Sequence, residues 1–247
     1  MSVVLFDCES NGRPVRTYSR NNFVGSGFEN VYCTVLCALV LDLNSKDRAN
    51  ETTISKARRI TCWRTDNDGV DSFEAAFEQF DACDVIVAYN GIEFDMPLLF
   101  KHYQANANGL NRYRSHLRKL FDPFAVLRTA TGRWFKLDDL LRLNGLQTKS
   151  ANGAEAVAMW NSGDYARLQS YCMDDVVALT RFALLGGEDI QLPSVTNNTV
   201  PVSFPATYVN VQDVLAAREN AKRRRTAVSE VAQVAVGTSS HDDEAES

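Results

Sequence analysis

An α/β domain built on a mixed sheet is the fold class this sequence predicts, and three observations predict it. The apolar run Val3 to Phe6 passes through Asp7-Cys8-Glu9 into a Ser10-Asn11-Gly12 turn, the pattern of a buried strand. Val31 to Leu43 and Lys56 to Arg64 are rich in apolar and β-branched residues, and Val85-Ile86-Val87-Ala88 is a continuous apolar run suited to a strand buried on both faces. Before that buried run, Phe73, Ala76, Phe77 and Phe80 recur at helical spacing. Three strands, a helix and a buried strand make a sheet of mixed sense.

Taken in order, the first strand is followed by a polar stretch, Arg13 to Glu29, with Gly25 and Gly27, which reads as a loop or irregular hairpin lying near the acids. The polar Asn44 to Glu51 separates the next two strands, which meander antiparallel. Asp71 or Ser72 is placed to cap the helix Phe73 to Phe80. After the buried strand, Asn90-Gly91 marks a turn and Pro97 suits the first turn of another helix. His102 to Lys119 is the densest basic and aromatic stretch, either a solvated face or a surface for nucleic acid. Short helical or strand-helix pieces over Leu120–Leu127, Leu137–Leu143 and Glu155–Trp160 are punctuated by Gly132, Gly145 and Gly153, with Lys149 in one of the loops. Asp164 reads as the N-cap of a long helix that runs to about Leu185 and is closed by Gly186-Gly187.

Beyond Gly187 the composition shifts. Pro193, Pro201 and Pro205 with Ser, Thr and Asn predict an extended segment, and Val211 to Arg225 a helix ending in Lys222-Arg223-Arg224-Arg225. That basic end has three readings: a solvated helix end, a nucleic-acid tether or a nuclear import signal. The polar, finally acidic remainder predicts disorder. The expected division is therefore 1–187 as the folded domain, 188–225 as an extended C-terminal segment with a helix, and 226–247 as a disordered tail.

A formal charge of −5 over 247 residues argues against a protein that wraps long duplexes by charge alone, so any polyanion must be met by local basic groups. The six cysteines form no CxxC pair and have no histidine at zinc-finger spacing, as expected of reduced core residues. No basic and apolar leader opens the sequence, and its longest apolar run, Val35 to Leu41, is too short to span a bilayer, so the expectation is an intracellular protein. No GxGxxG or GxxxxGK[ST] follows any strand, which removes support for a dinucleotide enzyme or a kinase.

The chemistry-bearing residues are acids at special places. Alternation along a strand points Asp7 and Glu9 to the same side, and two like charges beside a core require either solvent or a divalent cation. Asp95 stands where an N-cap belongs, so capping and metal binding are both open to it. Asp175 lies within the apolar stripe of Leu168, Cys172, Leu179 and Phe182, with Tyr171 one turn away, whereas Asp174 shares a polar line with Arg167 and Arg181.

These residues stand in three motifs: Asp7-Cys8-Glu9, the run from Asn90 through Phe94-Asp95, and Tyr171-x-x-x-Asp175. In that order they resemble the DEDD superfamily of 3′-5′ exonucleases, in its tyrosine-bearing branch, which includes the proofreading domains of family B polymerases. The stretch Lys136 to Val176 also looks like stand-alone members of this class. The resemblance implies a ribonuclease H-like fold, a central mixed five-stranded sheet flanked by helices. It implies hydrolysis of single-stranded nucleic acid, DNA before RNA, from a free 3′ end. Two magnesium or manganese ions roughly 4 Å apart would serve that chemistry. By the same resemblance Asp7, Glu9, Asp95 and Asp175 are the metal ligands, Tyr171 orients the attacking water, and Asn90 and Phe94 shape the pocket of the terminal nucleotide. No polymerase domain follows the motifs, which sets proofreading in cis aside as an expectation. The C-terminal segment is the candidate contact for a polymerase or helicase partner. The rival reading is a nuclease-like module that binds nucleic acid or such a partner without cleaving.

Overall fold

The computed structural model describes residues 1–14, 17–19, 22–25, 27–43, 50–64, 73–105, 107–148, 153–184, 189–194, 202–205, 209–211, 213–221 and 223. Strand β1 (Ser2–Ser10) is its axis: Val3, Val4, Leu5 and Phe6 are all fully buried, because β1 has a neighbour on each side and a layer on each face. The hairpin β2 (Thr17–Ser19) and β3 (Asn22–Gly25) follows, as the irregular polar stretch suggests. Next come β4 (Cys33–Asp42), helix α1 (Glu51–Lys56), β5 (Arg58–Trp63), helix α2 (Glu74–Ala82) and β6 (Val85–Val87). Helices α3 (Asp95–Gln104) and α4 (Gly109–Lys119) lead to β7 (Leu120–Phe121), then α5 (Pro123–Thr131), α6 (Leu137–Leu143), α7 (Gly153–Ser162) and α8 (Tyr165–Ala183). Strands β8 (Ile190–Leu192) and β9 (Val202–Phe204) pair antiparallel, and residues 213–221 are helical.

The main sheet has five strands in the order β5-β4-β1-β6-β7. β1 and β5 run antiparallel to β4, while β6 is parallel to β1 and β7 to β6, so the sheet is mixed. Alternation along β1 sorts the core in two. Val3 and Leu5 face α8 together with Val35, Cys37 and Leu39. Val4, Phe6 and Cys8 face the opposite layer, where Phe73, Phe77 and Phe80 of the α2 region and Met96 and Leu99 of α3 fill the space.

Four local expectations need correction or completion. The short helix α1 was hidden by β-branched Thr52, Thr53 and Ile54; its start is held by a reciprocal cap in which Asn50 and Thr53 each accept from the other's backbone N–H, at 3.1 and 3.3 Å. β5 therefore begins at Arg58 rather than Lys56. Helix α2 starts after Phe73, which caps with no side-chain bond, and the expected caps Asp71 and Ser72 lie outside the described residues. The basic stretch from His102 to Lys119 proves to be largely internal bracing: Arg112 pairs with Glu74 and Asp81, buried His116 lies between Asp81 and Tyr103, and Lys119 donates to the carbonyls of Phe80 and Asp81. Arg112 and Lys119 tie α4 to α2 by charge and His116 by a hydrogen bond, while Arg114 and Arg118 stay exposed.

The segment beyond α8 continues the core. Asn144 receives the Gln191 N–H at 2.9 Å and donates to the Gln191 carbonyl at 3.0 Å, holding β8 against the end of α6. Val209, Val211 and Leu215 are buried on the α8 side of the sheet, and Arg218 donates to the carbonyls of Asp84 and Arg118. Lys149, Gly186, Gly187 and the residues after 223 lie outside the described residues. All six cysteines are free and buried, and no helix among the described residues is long and apolar enough to cross a membrane.

Candidate metal centre and cleft

At the C-terminal end of β1, Asp7 and Glu9 belong to the face that Leu5 and Val3 occupy, the face covered by α8. Helix α8 brings Tyr171 and Asp175 to that place. Its N-terminus is fixed by Asp164, whose side chain accepts the Arg167 N–H at 3.3 Å, and its buried stripe includes Leu168, Cys172, Asp175, Leu179 and Phe182. Cys172 Sγ donates to the Asp7 carbonyl at 3.5 Å, tacking the helix to the strand beside the acids. One carboxylate oxygen from each of Asp7, Glu9 and Asp175 lies within 4.8 Å of the others, with Asp7 half-buried and the other two buried. Asp174, the neighbouring acid, is exposed.

Asp95 stands outside this group of three. It is the first residue of α3, whose N-cap is Phe94, so it does not cap the helix; its Oδ1 instead accepts the Cys8 N–H at 2.9 Å, between Asp7 and Glu9 on β1. Burial, with Asp122 adding to it, pushes the Asp95 carboxyl up to about 7 against the opposing bond from Cys8. Asp122, the N-cap of α5, accepts the backbone N–H groups of Asn90, Ile92, Phe124 and Ala125 at 2.9, 3.1, 3.0 and 3.3 Å, so it clamps the loop that carries Phe94 and Asp95. Asn90 occupies the left-handed region at φ 64°, and Gly91 follows because a Cβ there would lie 2.5 Å from Ala88 Cβ. Asn90 Oδ1 is buried with no hydrogen-bond partner among the described residues.

A cleft of about 450 Å³ opens over the acid group. Of the sequence-predicted residues, Asp7, Glu9, Phe94, Tyr171 and Asp175 line it, while Asn90 and Asp95 do not. Phe94 is half-buried, its ring 6.0 Å from that of Phe28. Burial, with Asp175, Glu9 and Asp7 nearby and a hydrogen bond to Asp175, raises the Tyr171 phenol, which stays protonated at neutral pH. Sequence reasoning did not single out Arg13, Pro14 or Val157, which also line the cleft. Arg13 could have been noticed as the first cation after the acidic turn; Val157 carries no signal beyond its place in an apolar run.

Three carboxylates this close form a hard oxygen donor set of the kind magnesium or manganese takes, so the residues fit a divalent cation. No curated protein matches the sequence. Among solved structures, a family B DNA polymerase from the hyperthermophilic archaeon Pyrobaculum calidifontis is 17% identical over 74% of this chain and 25% of that one, with a TM-score of 0.48. A moderately thermophilic Exonuclease I from Methylocaldum szegediense is 14% identical over 82% of this chain and 50% of that one, with a TM-score of 0.40. The chain thus spans a quarter and a half of those two proteins. The sequence model of the RNase_H superfamily matches residues 49–184, a span that holds Asp95, Tyr171 and Asp175 and begins after β1. That match covers more than half of the chain, and the sheet order and mixed sense agree with it: the chain belongs to the RNase_H superfamily.

Proposed function

We propose that this chain is a metal-dependent 3′-5′ exonuclease that hydrolyses single-stranded nucleic acid, DNA in preference to RNA, from a free 3′ end. The observation that carries the reading is the approach of Asp7, Glu9 and Asp175 to within 4.8 Å at the floor of an open cleft. Such a group is costly unless a cation joins it. Asp7, Glu9 and Asp175 would hold magnesium or manganese, two ions per site in our reading, with Asp95 the remaining acid of the set. When bound, the metal supplies a water acidic enough to ionise near neutral pH and stabilises charge on the leaving oxygen. Tyr171, protonated and donating its O–H to Asp175, presents its phenol oxygen as an acceptor that can orient the attacking water. Phe94 offers a ring for the terminal base, Asn90 shapes the loop behind it, and Arg13 meets the phosphates from the cleft wall.

In this reading residues 1–187 carry the nuclease site of an intracellular protein, β8 with Val209, Val211 and Leu215 completes its core, and the outer face of that C-terminal segment is where a polymerase or helicase would dock. A binding module that does not cleave is the second reading; the presence of every acid favours cleavage over it. End-labelled single-stranded DNA, single-stranded RNA and duplex, each incubated with magnesium, decide between them. Mononucleotides released from free 3′ ends, with resistance of 3′-blocked and circular strands, are expected. A circular strand cut as fast as a linear one would mean an endonuclease, and no cleavage of any substrate would leave the binding module.

A further inference from the structure

A second groove, of about 500 Å³, lies beside the acid cleft and is lined by Trp63, Arg64, Trp160, Tyr165, Ala166 and Gln169. Its walls are aromatic. The Tyr165 ring stands 5.6 Å from that of Trp63, edge to face, and 5.2 Å from that of Trp160, yet Tyr165 remains 49% exposed. No described residue on its lining is an acid, in a chain whose formal charge is −5. Arg64 is its cation: the guanidinium lies over the Tyr32 ring, 4.1 Å from the centroid, and forms no ion pair with a described residue.

Register places this groove close to the acid group. Glu9 pairs with Val35, and Val35 pairs with Trp63, so the three share one face of the sheet, with Trp63 two strands away from the acid. At the strand spacing of a sheet that is roughly 10 Å. The helix gives the same distance independently: Tyr165 begins α8 and Tyr171 lies roughly 9 Å further along its axis, at 1.5 Å per residue. One helix therefore presents Tyr165 to the groove and Tyr171 with Asp175 to the cleft.

We propose that this groove is a second nucleobase site for the same single strand: bases upstream of the scissile phosphate stack on Tyr165, Trp63 and Trp160, and Arg64 meets a phosphate between them. The proposal rests on the exonuclease reading for the strand's direction. Flat rings, a guanidinium with no ion pair among the described residues and the amide of Gln169 are what a nucleotide of any sequence can use, since every base has a π-face and every link a charge.

Two of the three tryptophans line the groove, so in a Trp134→Phe background intrinsic fluorescence reports it directly. The full chain is titrated with unlabelled oligothymidylate in calcium, and cleavage in magnesium is compared between an oligonucleotide and a dinucleotide. Quenching is expected on binding. Tyr165→Ala, at an exposed position where folding is not at stake, should raise Kd roughly 5- to 150-fold, with Tyr165→Phe restoring it. The same variant should shrink the ratio of kcat/KM on the oligonucleotide to that on the dinucleotide. Arg64→Gln should reduce the salt slope of binding by about one. Absent quenching with an unchanged Kd in Tyr165→Ala, or equal loss on both substrate lengths, would overturn the proposal. Quenching and Tyr165 dependence without any cleavage in magnesium would instead overturn the exonuclease reading and leave the groove as a nucleobase site. Cleavage without quenching would do the reverse.

Discussion

Replacing Asp7 by Asn should abolish hydrolysis and, with no metal present, make the protein more stable. Asp7, Glu9 and Asp175 hold carboxylate oxygens within 4.8 Å of each other. At that separation and an effective dielectric near 20, each like-charged pair costs about 3.5 kcal/mol, and Asp7 belongs to two of the three pairs. Proton uptake by one carboxyl and solvent reaching half-buried Asp7 relieve most of that repulsion, which leaves a gain of about 1–2 kcal/mol for the variant. In a protein of this size the gain corresponds to a Tm about 2–8 °C higher. Magnesium or manganese should act the other way round. Saturating metal stabilises the native protein by about 2.7 kcal/mol at a hundredfold excess over Kd, and Asp7→Asn should lose most of that response. Thermal melts of both proteins in EDTA and in metal, alongside cleavage of end-labelled DNA, test all three statements. An Asp7→Asn variant that cuts at the native rate, or that melts well below the native protein in EDTA, would refute the claim that these acids are held together for a cation.

Asp175→Asn should lower the cleavage rate by orders of magnitude, whereas Asp174→Asn, which alters an exposed charge worth about 1 kcal/mol at most, should stay within a few fold; single-turnover rates compare them, with Tyr171→Phe expected in between. Asp95→Ala should cost about 1–3 kcal/mol by leaving the Cys8 N–H unpaired, while Asp95→Asn, which keeps an acceptor oxygen, should cost less; urea titration of the metal-free proteins separates the two. Burial lowers the His116 imidazole below its ordinary value despite the opposing bond to Asp81, so the folded state takes up its proton less readily than the unfolded chain. Stability should therefore fall as pH drops below about 6.5 toward the folded-state value, and His116→Gln should flatten that slope in chemical denaturation followed across pH.

The strands and the long helix were legible because their side chains obey simple periods. Asp175 could be told from Asp174 by helical spacing alone, since only one of two adjacent acids can share a stripe with Leu168 and Leu179. The structure buries the first and exposes the second. Asp95 was harder, because a carboxylate at the head of a helix satisfies both a capping and a ligand pattern. Its actual bond, to the Cys8 N–H, crosses 87 residues and leaves no local trace. The same holds for Asp122, which clamps the Asn90 loop through contacts 30 and 32 residues away. The basic run before β7 left two readings open for a related reason. Composition counts cations but does not say that Arg112, His116 and Lys119 already have partners on α2. Groove residues such as Trp63 and Tyr165 come from different elements, and only the register of β5 and the start of α8 brings them together.

The separation in sequence of the acids has a consequence for how the protein comes into being. β1 is made before its partners, so its edge toward β6 stays open until residues 85–87 follow, and Asp175 joins Asp7 and Glu9 only when α8, residues 165–183, has folded back across the sheet. The contact between Cys172 and Asp7 spans 165 residues, a loop whose closure makes folding slow compared with a local motif. A nascent or truncated chain that stops short of α8 therefore holds two acids without the third. The charged group over the cleft is therefore completed only after all five strands of the main sheet, which must restrain it, have been made.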